Sequence, residues 1–248
     1  MLINYGSLLL KSTIAAPQLR TFSVLVPLKA KPTSTNTNKG NDDKPTQKQT
    51  PRRSKYEAFN APQKAYLDRV IRVDQAGELG ANYIYRGQIF VLSRTHPHLK
   101  PLLQHMWEQE VHHHNTFNDM QLKNRVRPSL ITPLWKLGAI AMGAGTAIIS
   151  PEAAMACTEA VETVIGNHYN EQLRCLMKEY DVKKDDESFG IPPEIQNLIE
   201  TIKLFRDQEL EHLDIAITND SQKAVPYMLI TEGIKLVCKG AIWAAERV

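Results

Sequence analysis

From residue 56 onward, apolar residues recur every three or four positions and no window alternates with period two; Asn-Gly and Asp-Gly hairpin signals are absent. This rhythm predicts helices. Asn60-Ala61-Pro62 starts one whose stripe runs through Leu67, Ile71, Ala81, Tyr85, Ile89 and Leu92 to about Arg94. His96-Pro97 starts a second, through Leu99, Leu103, Met106, Phe117 and Met120 to about Asn124. Pro128 and Pro133 interrupt, a weakly polar segment occupies 134–149, and Pro151 opens a long helix through Met155, Ile165 and Leu176. An acidic, Gly- and Pro-containing loop is predicted over 181–193. Beyond it, Ile195, Leu198, Ile202, Phe205 and Ile215 mark a further helix, and Pro226 begins a last one to about Ala245. The expected fold is all-α.

Certain polar residues stand where the stripes call for apolar ones. On the second helix, Met106 plus four and Phe117 minus four give Glu110 and His113; after the loop, Phe205 plus four gives Glu209, and three more give His212. The first helix places Glu78 between Ile71 and Ala81, and the helix opened by Pro151 places Glu162 between Met155 and Ile165. Glu159 competes with Glu162 for the inward position. Four buried carboxylates would repel and lose hydration, so they must be protonated, paired or metallated. Two divalent cations cancel their charge. Residues at i and i+3 share a helix face, so each Glu-x-x-His offers an oxygen and a nitrogen to the same pair of ions. Ferritin-like carboxylate proteins use this set: a Glu from each of two helices and Glu-x-x-His from each of two others. Oxygen-rich ligation suits iron or manganese better than zinc. Glu110 follows Glu78 by thirty-two residues and Glu209 follows Glu162 by forty-seven, the difference being absorbed by the 181–193 loop. The expectation is two helix hairpins of matching chemistry, related by an approximate twofold, in a ferritin-like four-helix bundle with two additional apolar helices.

Charge divides the chain. Residues 1–55 hold ten Lys/Arg against two Asp, a balance of +8, and residues 56–248 hold twenty against twenty-five Asp/Glu, or −5. The acidic body repels phosphate backbones, so no nucleic-acid partner is expected. The first forty-one residues contain no acid, and Lys11 and Arg20 break up their apolar runs. That is the composition of a mitochondrial transit peptide, followed by a polar linker; the alternative is a disordered basic tail. The expected domains are 1–55, leader and linker, and 56–248, the metal-binding body. Cys157, Cys175 and Cys238 form no close pair, which fits a reducing compartment.

Four segments carry a resemblance: Arg72-Val-Asp-Gln-Ala-Gly-Glu-Leu-Gly-Ala81, Met106-Trp-Glu-Gln-Glu110 through His113, Ala156-Cys-Thr-Glu-Ala-Val-Glu162 through Asn170, and Arg206-Asp-Gln-Glu-Leu-Glu-His212. Over about residues 56–248 the chain resembles the demethoxyubiquinone hydroxylases of coenzyme Q synthesis, di-iron monooxygenases of the inner mitochondrial membrane. The resemblance places the metal ligands on Glu78, Glu110, His113, Glu162, Glu209 and His212. It implies hydroxylation of the demethoxyubiquinone ring, the penultimate step of ubiquinone biosynthesis, with two Fe ions, O2 and reducing equivalents from NADH. It also implies a lipid-binding subunit of the coenzyme Q synthesis complex as partner, and a peripheral place on the matrix side of the inner membrane. His168 and Tyr169 are similar to the family's proton or electron relay behind the ligands; an aromatic packing pair is the other reading. His112 and His114 point away from His113 by helical phase.

The uncharged stretch 137–151 is too short to span a bilayer. It fits either an interfacial helix edged by Trp135 and Lys136, packed by its Gly and Ala residues on a partner, or a buried core helix. Leu229, Ile230, Ile234, Val237, Ile242 and Trp243, with Lys235 and Lys239 able to snorkel, form a second candidate surface. Two other functions remain open: a ferritin-like iron-binding or ferroxidase protein without an organic substrate, and a metal-free membrane-surface bundle.

Overall fold

The computed structural model describes residues 59–183 and 189–248; the leader and linker expected over 1–55 lie outside them. The described residues form α1 (Ala61–Thr95), α2 (Lys100–Asn124), α3 (Thr132–Ile149), α4 (Pro151–Glu179), α5 (Pro193–Thr218) and α6 (Tyr227–Ala245). The described residues are predominantly α-helical. Two local features depart from the sequence pattern. Pro97–Leu99 forms a 3₁₀ turn before α2, and the expected loop contains a two-residue antiparallel pair, β1 (Val182–Lys183) with β2 (Phe189–Gly190). Such short strands leave no alternation to read.

Local chemistry sets the helix starts. Asn60 Oδ1 accepts from the Gln63 N–H at 2.9 Å while Gln63 Oε1 accepts from the Asn60 N–H at 3.1 Å, a reciprocal cap of α1 worth about 1 kcal/mol. Ser150 Oγ accepts from the Ala153 N–H at 3.0 Å and caps α4.

The packing is layered. α1 runs against α2, and α4 against α5. One apolar cluster gathers Leu67, Phe117, Leu173, Leu176, Ile202 and Phe205; another gathers Tyr85, Leu92, Leu103, Met106, Met155 and Ala216. Each draws on all four helices, and on each helix Glu78, Glu110/His113, Glu162 or Glu209/His212 lies between the two. A polar layer is thus sealed between two greasy ones.

α3 covers α1 and α6 covers α4. The α1–α3 crossing is backbone on backbone: a Cβ on Gly87 would lie 2.6 Å from Ala144 N, and one on Gly143 would lie 2.0 Å from Ile84 O. Gly143 therefore serves contact within the chain, whereas a Cβ on Gly138 or Gly145 would meet nothing within 4 Å. Ala139, Gly143, Thr146 and Ala147 are buried, whereas Leu134, Leu137, Ile148 and Ile149 are exposed. α6 buries Thr231, Ile234 and Ala245 and exposes Met228, Leu229, Leu236 and Trp243. Among the described residues, no helix is long and apolar enough to cross a membrane.

Candidate metal centre

Glu78, Glu110, His113, Glu162, Glu209 and His212 are all at most 1% exposed. They form two overlapping groups, Glu78/Glu110/His113/Glu209 and Glu110/Glu162/Glu209/His212, within each of which one ligand atom per residue lies inside 4.8 Å of the others. Glu110 and Glu209 belong to both. His113 Nδ1 stands 3.0 Å from Glu209 Oε1 and 3.4 Å from Glu78 Oε2; His212 Nδ1 stands 3.1 Å from Glu110 Oε1 and 3.1 Å from Glu209 Oε2.

These contacts are close without being hydrogen bonds. Both Nδ1 atoms, both oxygens of Glu110 and Glu209, and one oxygen each of Glu78 and Glu162 lack an aligned hydrogen-bond partner. Orphaned buried polar atoms are costly, and the eight belong to the two groups whose residues could hold metal ions. Without cations the charges distort one another. Burial, then repulsion from Glu209, raises Glu110 and Glu162 well above the usual carboxylate range. Burial pushes Glu209 the same way, but contacts with His113 and His212 outweigh it and hold that carboxyl at about 2. Burial lowers His113, and Glu209 and Glu78 more than reverse this, to about 12.

A ring of neutral partners surrounds the six. Tyr85 Oη donates to Glu162 Oε1 at 3.0 Å, and Tyr169 Oη donates to Glu78 Oε1. His113 Nε2 meets Gln208 Oε1 at 2.8 Å, and His212 Nε2 meets Gln109 Oε1 at 2.6 Å. Gln172 Nε2 reaches both Asp74 Oδ1, at 2.7 Å, and His168 Nε2, at 2.9 Å. Asp74 is buried and pushed well up by that burial, and burial lowers His168.

All six sequence-selected residues meet in one layer. Glu159, the competitor of Glu162, is buried elsewhere: Ser221 Oγ donates to its Oε2, and Tyr227 Oη to its Oε1 at 2.6 Å. Of the flanking histidines, His112 is exposed, and His114 lies 3.3 Å from Gln75 Nε2. Tyr169 touches the layer directly through Glu78, whereas the hydrogen bond of His168 runs to Gln172, which holds Asp74 rather than a layer residue. The sequence stripes hide Tyr85 among apolar positions and pass over Asp74, Gln109, Gln172 and Gln208. One signal exposes most of them: Tyr and Gln stand seven and ten residues after both Glu78 and Glu162, and a Gln precedes the Glu of both Glu-x-x-His pairs.

Comparison with known proteins supplies the family. The model described as "Ubiquinone biosynthesis protein COQ7" matches residues 65–245. The chain belongs to the COQ7 family. One COQ7 relative, the "5-demethoxyubiquinone hydroxylase, mitochondrial" of Saccharomyces cerevisiae, is 58% identical over 241 residues, which covers 97% of this chain and 100% of the relative. The mouse "NADPH-dependent 3-demethoxyubiquinone 3-hydroxylase, mitochondrial" is 46% identical over 184 residues, 74% of this chain and 79% of the relative. The "3-demethoxyubiquinol 3-hydroxylase" of Rhodospirillum rubrum is 44% identical over 184 residues, with the same coverages. All three COQ7 relatives are named as demethoxyubiquinone or demethoxyubiquinol hydroxylases, and all six layer residues fall inside the matched segment.

Proposed function

We propose that this chain is a ferritin-like di-iron monooxygenase that hydroxylates the ring of demethoxyubiquinone, with Glu78, Glu110, His113, Glu162, Glu209 and His212 as the ligands. The observation that carries this reading is the sealed layer of eight orphaned donor atoms on six side chains. Four carboxylates balance two divalent cations, an oxygen-rich donor set with two imidazoles favours iron or manganese over zinc, and the family resemblance selects iron. When bound, the two irons supply the two-electron reduction of O2 that puts one oxygen atom on the ring and releases the other as water.

The protein positions the parts around that chemistry. Glu110 and Glu209, common to both groups, would serve both cations, with Glu78 and His113 holding one and Glu162 and His212 the other. Tyr85 and Tyr169 hold the outer carboxylates by their hydroxyls. His168 Nε2 and Asp74 Oδ1 lie 3.9 Å apart. Gln172 Nε2 donates to both, which ties a part-exposed imidazole to a buried carboxyl one helical turn before Glu78.

Substrate enters from the apolar side. A cavity of about 280 Å³ lies between α1, α3, α4 and α6, and no charged side chain lines it. Its inner wall includes Gly77, Gly80 and Ala81, close to Glu78 in sequence, and Val161 and Ile165, close to Glu162. A Cβ on Gly77 or Gly80 would meet nothing within 4 Å, although glycine inside a helix costs about 1 kcal/mol. Those glycines keep space open for a quinone ring, and the apolar walls exclude water. The exposed apolar residues of α3 and α6 face the inner-membrane surface and a lipid-binding partner that delivers the isoprenoid-tailed substrate. Residues 1–55 act as the transit peptide and linker that bring the 56–248 domain to the matrix side. The electrons come from a reduced nicotinamide nucleotide; the family resemblance suggests NADH, and the mouse relative's name specifies NADPH.

The test is turnover of a short-tailed demethoxyquinone by the ferrous-loaded protein under ¹⁸O₂, with NADH and NADPH compared. One labelled oxygen per product ring is expected. Iron oxidation with an unmodified ring would instead favour a ferritin-like ferroxidase.

A further inference from the structure

The two imidazoles are held from outside the layer by amides, and the holding is crossed. Gln109 directly precedes Glu110 on α2, and Gln208 directly precedes Glu209 on α5. Each nevertheless serves the histidine of the other helix, Gln208 Oε1 at 2.8 Å from His113 Nε2 and Gln109 Oε1 at 2.6 Å from His212 Nε2. An amide oxygen only accepts, so in both contacts Nε2 carries the hydrogen and donates it. The nitrogen left to face the carboxylates is Nδ1, which lies 3.0 Å from Glu209 Oε1 in His113 and 3.1 Å from Glu110 Oε1 in His212. Both glutamines are half-buried at the edge of the layer.

We propose that Gln109 and Gln208 are positioning residues that hold each histidine as the Nε2–H tautomer, leave Nδ1 free for a cation, and keep the clasp electrically balanced. This inference rests on the di-metal reading above. An amide turned end for end would donate to Nε2, send the ring proton to Nδ1 and withdraw the nitrogen lone pair from the layer. The neutrality of the amide matters as much as its direction. Four carboxylates already cancel two divalent cations, so a carboxylate in either glutamine's place would add uncompensated negative charge and favour a higher metal valence. Repetition on both helices makes the device part of the internal twofold, because each Gln-Glu pair supplies a carboxylate common to both candidate groups and an amide to the opposite imidazole.

The probe is cobalt(II) added to the metal-free full chain, followed by calorimetry, absorption and proton NMR. Wild type is expected to take two cobalt ions and show two shifted, exchangeable Nε2–H resonances. Gln208→Leu should bind roughly 10–100-fold more weakly and lose protection of the His113 resonance alone; Gln109→Leu should do the same to His212. Gln208→Glu restores the acceptor, so it should recover affinity, and in the iron-loaded protein it should lower the midpoint potential. Leucine variants that bind cobalt as tightly as wild type with both resonances intact would overturn the proposal. So would an unchanged potential in Gln208→Glu, which keeps the test decisive if a leucine variant fails to fold. A wild-type chain that takes up no cobalt would sink the di-metal reading itself, a result distinct from either.

Discussion

The α1/α2 half and the α4/α5 half repeat the same device and differ where function needs them to. Glu78, Tyr85 and Gln88 on α1 match Glu162, Tyr169 and Gln172 on α4 in spacing, and each tyrosine crosses over to bond the other half's glutamate. Gln88 Nε2 donates to Thr158 Oγ1 at 3.2 Å, four residues before Glu162, just as Gln172 donates to Asp74, four before Glu78. Most other matching positions differ. Asp74 and His168 on one side correspond to Thr158 and Ile84 on the other, and Gly77 and Gly80 correspond to Val161 and Val164. The candidate ligands are therefore arranged symmetrically, whereas the Asp74, Gln172 and His168 cluster and the glycine-lined wall of the apolar cavity have no counterpart at the matching positions of the other half.

The largest effects come from breaking what the halves share. Glu110→Ala or Glu209→Ala removes a carboxylate common to both positions; metal analysis should show both irons lost and turnover down by at least about a thousandfold, beyond the cost of one stabilising group. Glu78→Ala or Glu162→Ala should lower the count to about one per chain.

Making the halves alike is the next test. Gly80→Val gives α1 the residue that α4 carries at the matching position and pushes side-chain atoms into the cavity. Both irons should stay while kcat/KM for a short-tailed quinone falls roughly 10–100-fold. Asp74→Asn, set against Thr158→Ala, separates a role of the Asp74 carboxyl in turnover from mere packing. The first should slow turnover roughly 10–100-fold and alter its pH profile; the second should leave turnover unchanged and cost about 1 kcal/mol of stability, read by denaturant melts.

A smaller effect concerns the metal-free protein. Asp74, Glu110 and Glu162 have raised pKa values, so above the ordinary carboxylate range the native state keeps protons that the unfolded chain releases. Stability must then fall as pH rises. His113, raised to about 12, acts in the same direction above its ordinary range. Glu209, held at about 2, contributes stability that is present above its unfolded value and lost only as pH falls toward 2. Melting of the apo-protein from roughly pH 5 to pH 9 should show a declining Tm, and added divalent cations should flatten the decline. A rising Tm would mean that the carboxylates ionise freely in the fold.

The sequence displays the symmetric part of this molecule better than the asymmetric part. Glu110, His113, Glu209 and His212 are legible because an ionisable residue on an apolar stripe violates the pattern that otherwise defines a helix. Tyr85 obeys that pattern, so its hydroxyl is invisible until Glu162 is placed 3.0 Å from it. Asp74 and Glu159 show the opposite difficulty: both are buried acids, and only packing reveals that one points at Gln172 and His168 while the other anchors Ser221 and Tyr227. Small residues on α3 signal close approach without naming the neighbour, which is the α1 backbone at Ile84.

The central claim is that six buried side chains clasp two cations, and anaerobic reconstitution with ferrous iron tests it most directly. Metal counting with Mössbauer spectroscopy should give two irons per wild-type chain, magnetically coupled after oxidation, and none in Glu209→Ala. Uncoupled or absent iron in the wild type, or two irons retained by Glu209→Ala, would contradict it.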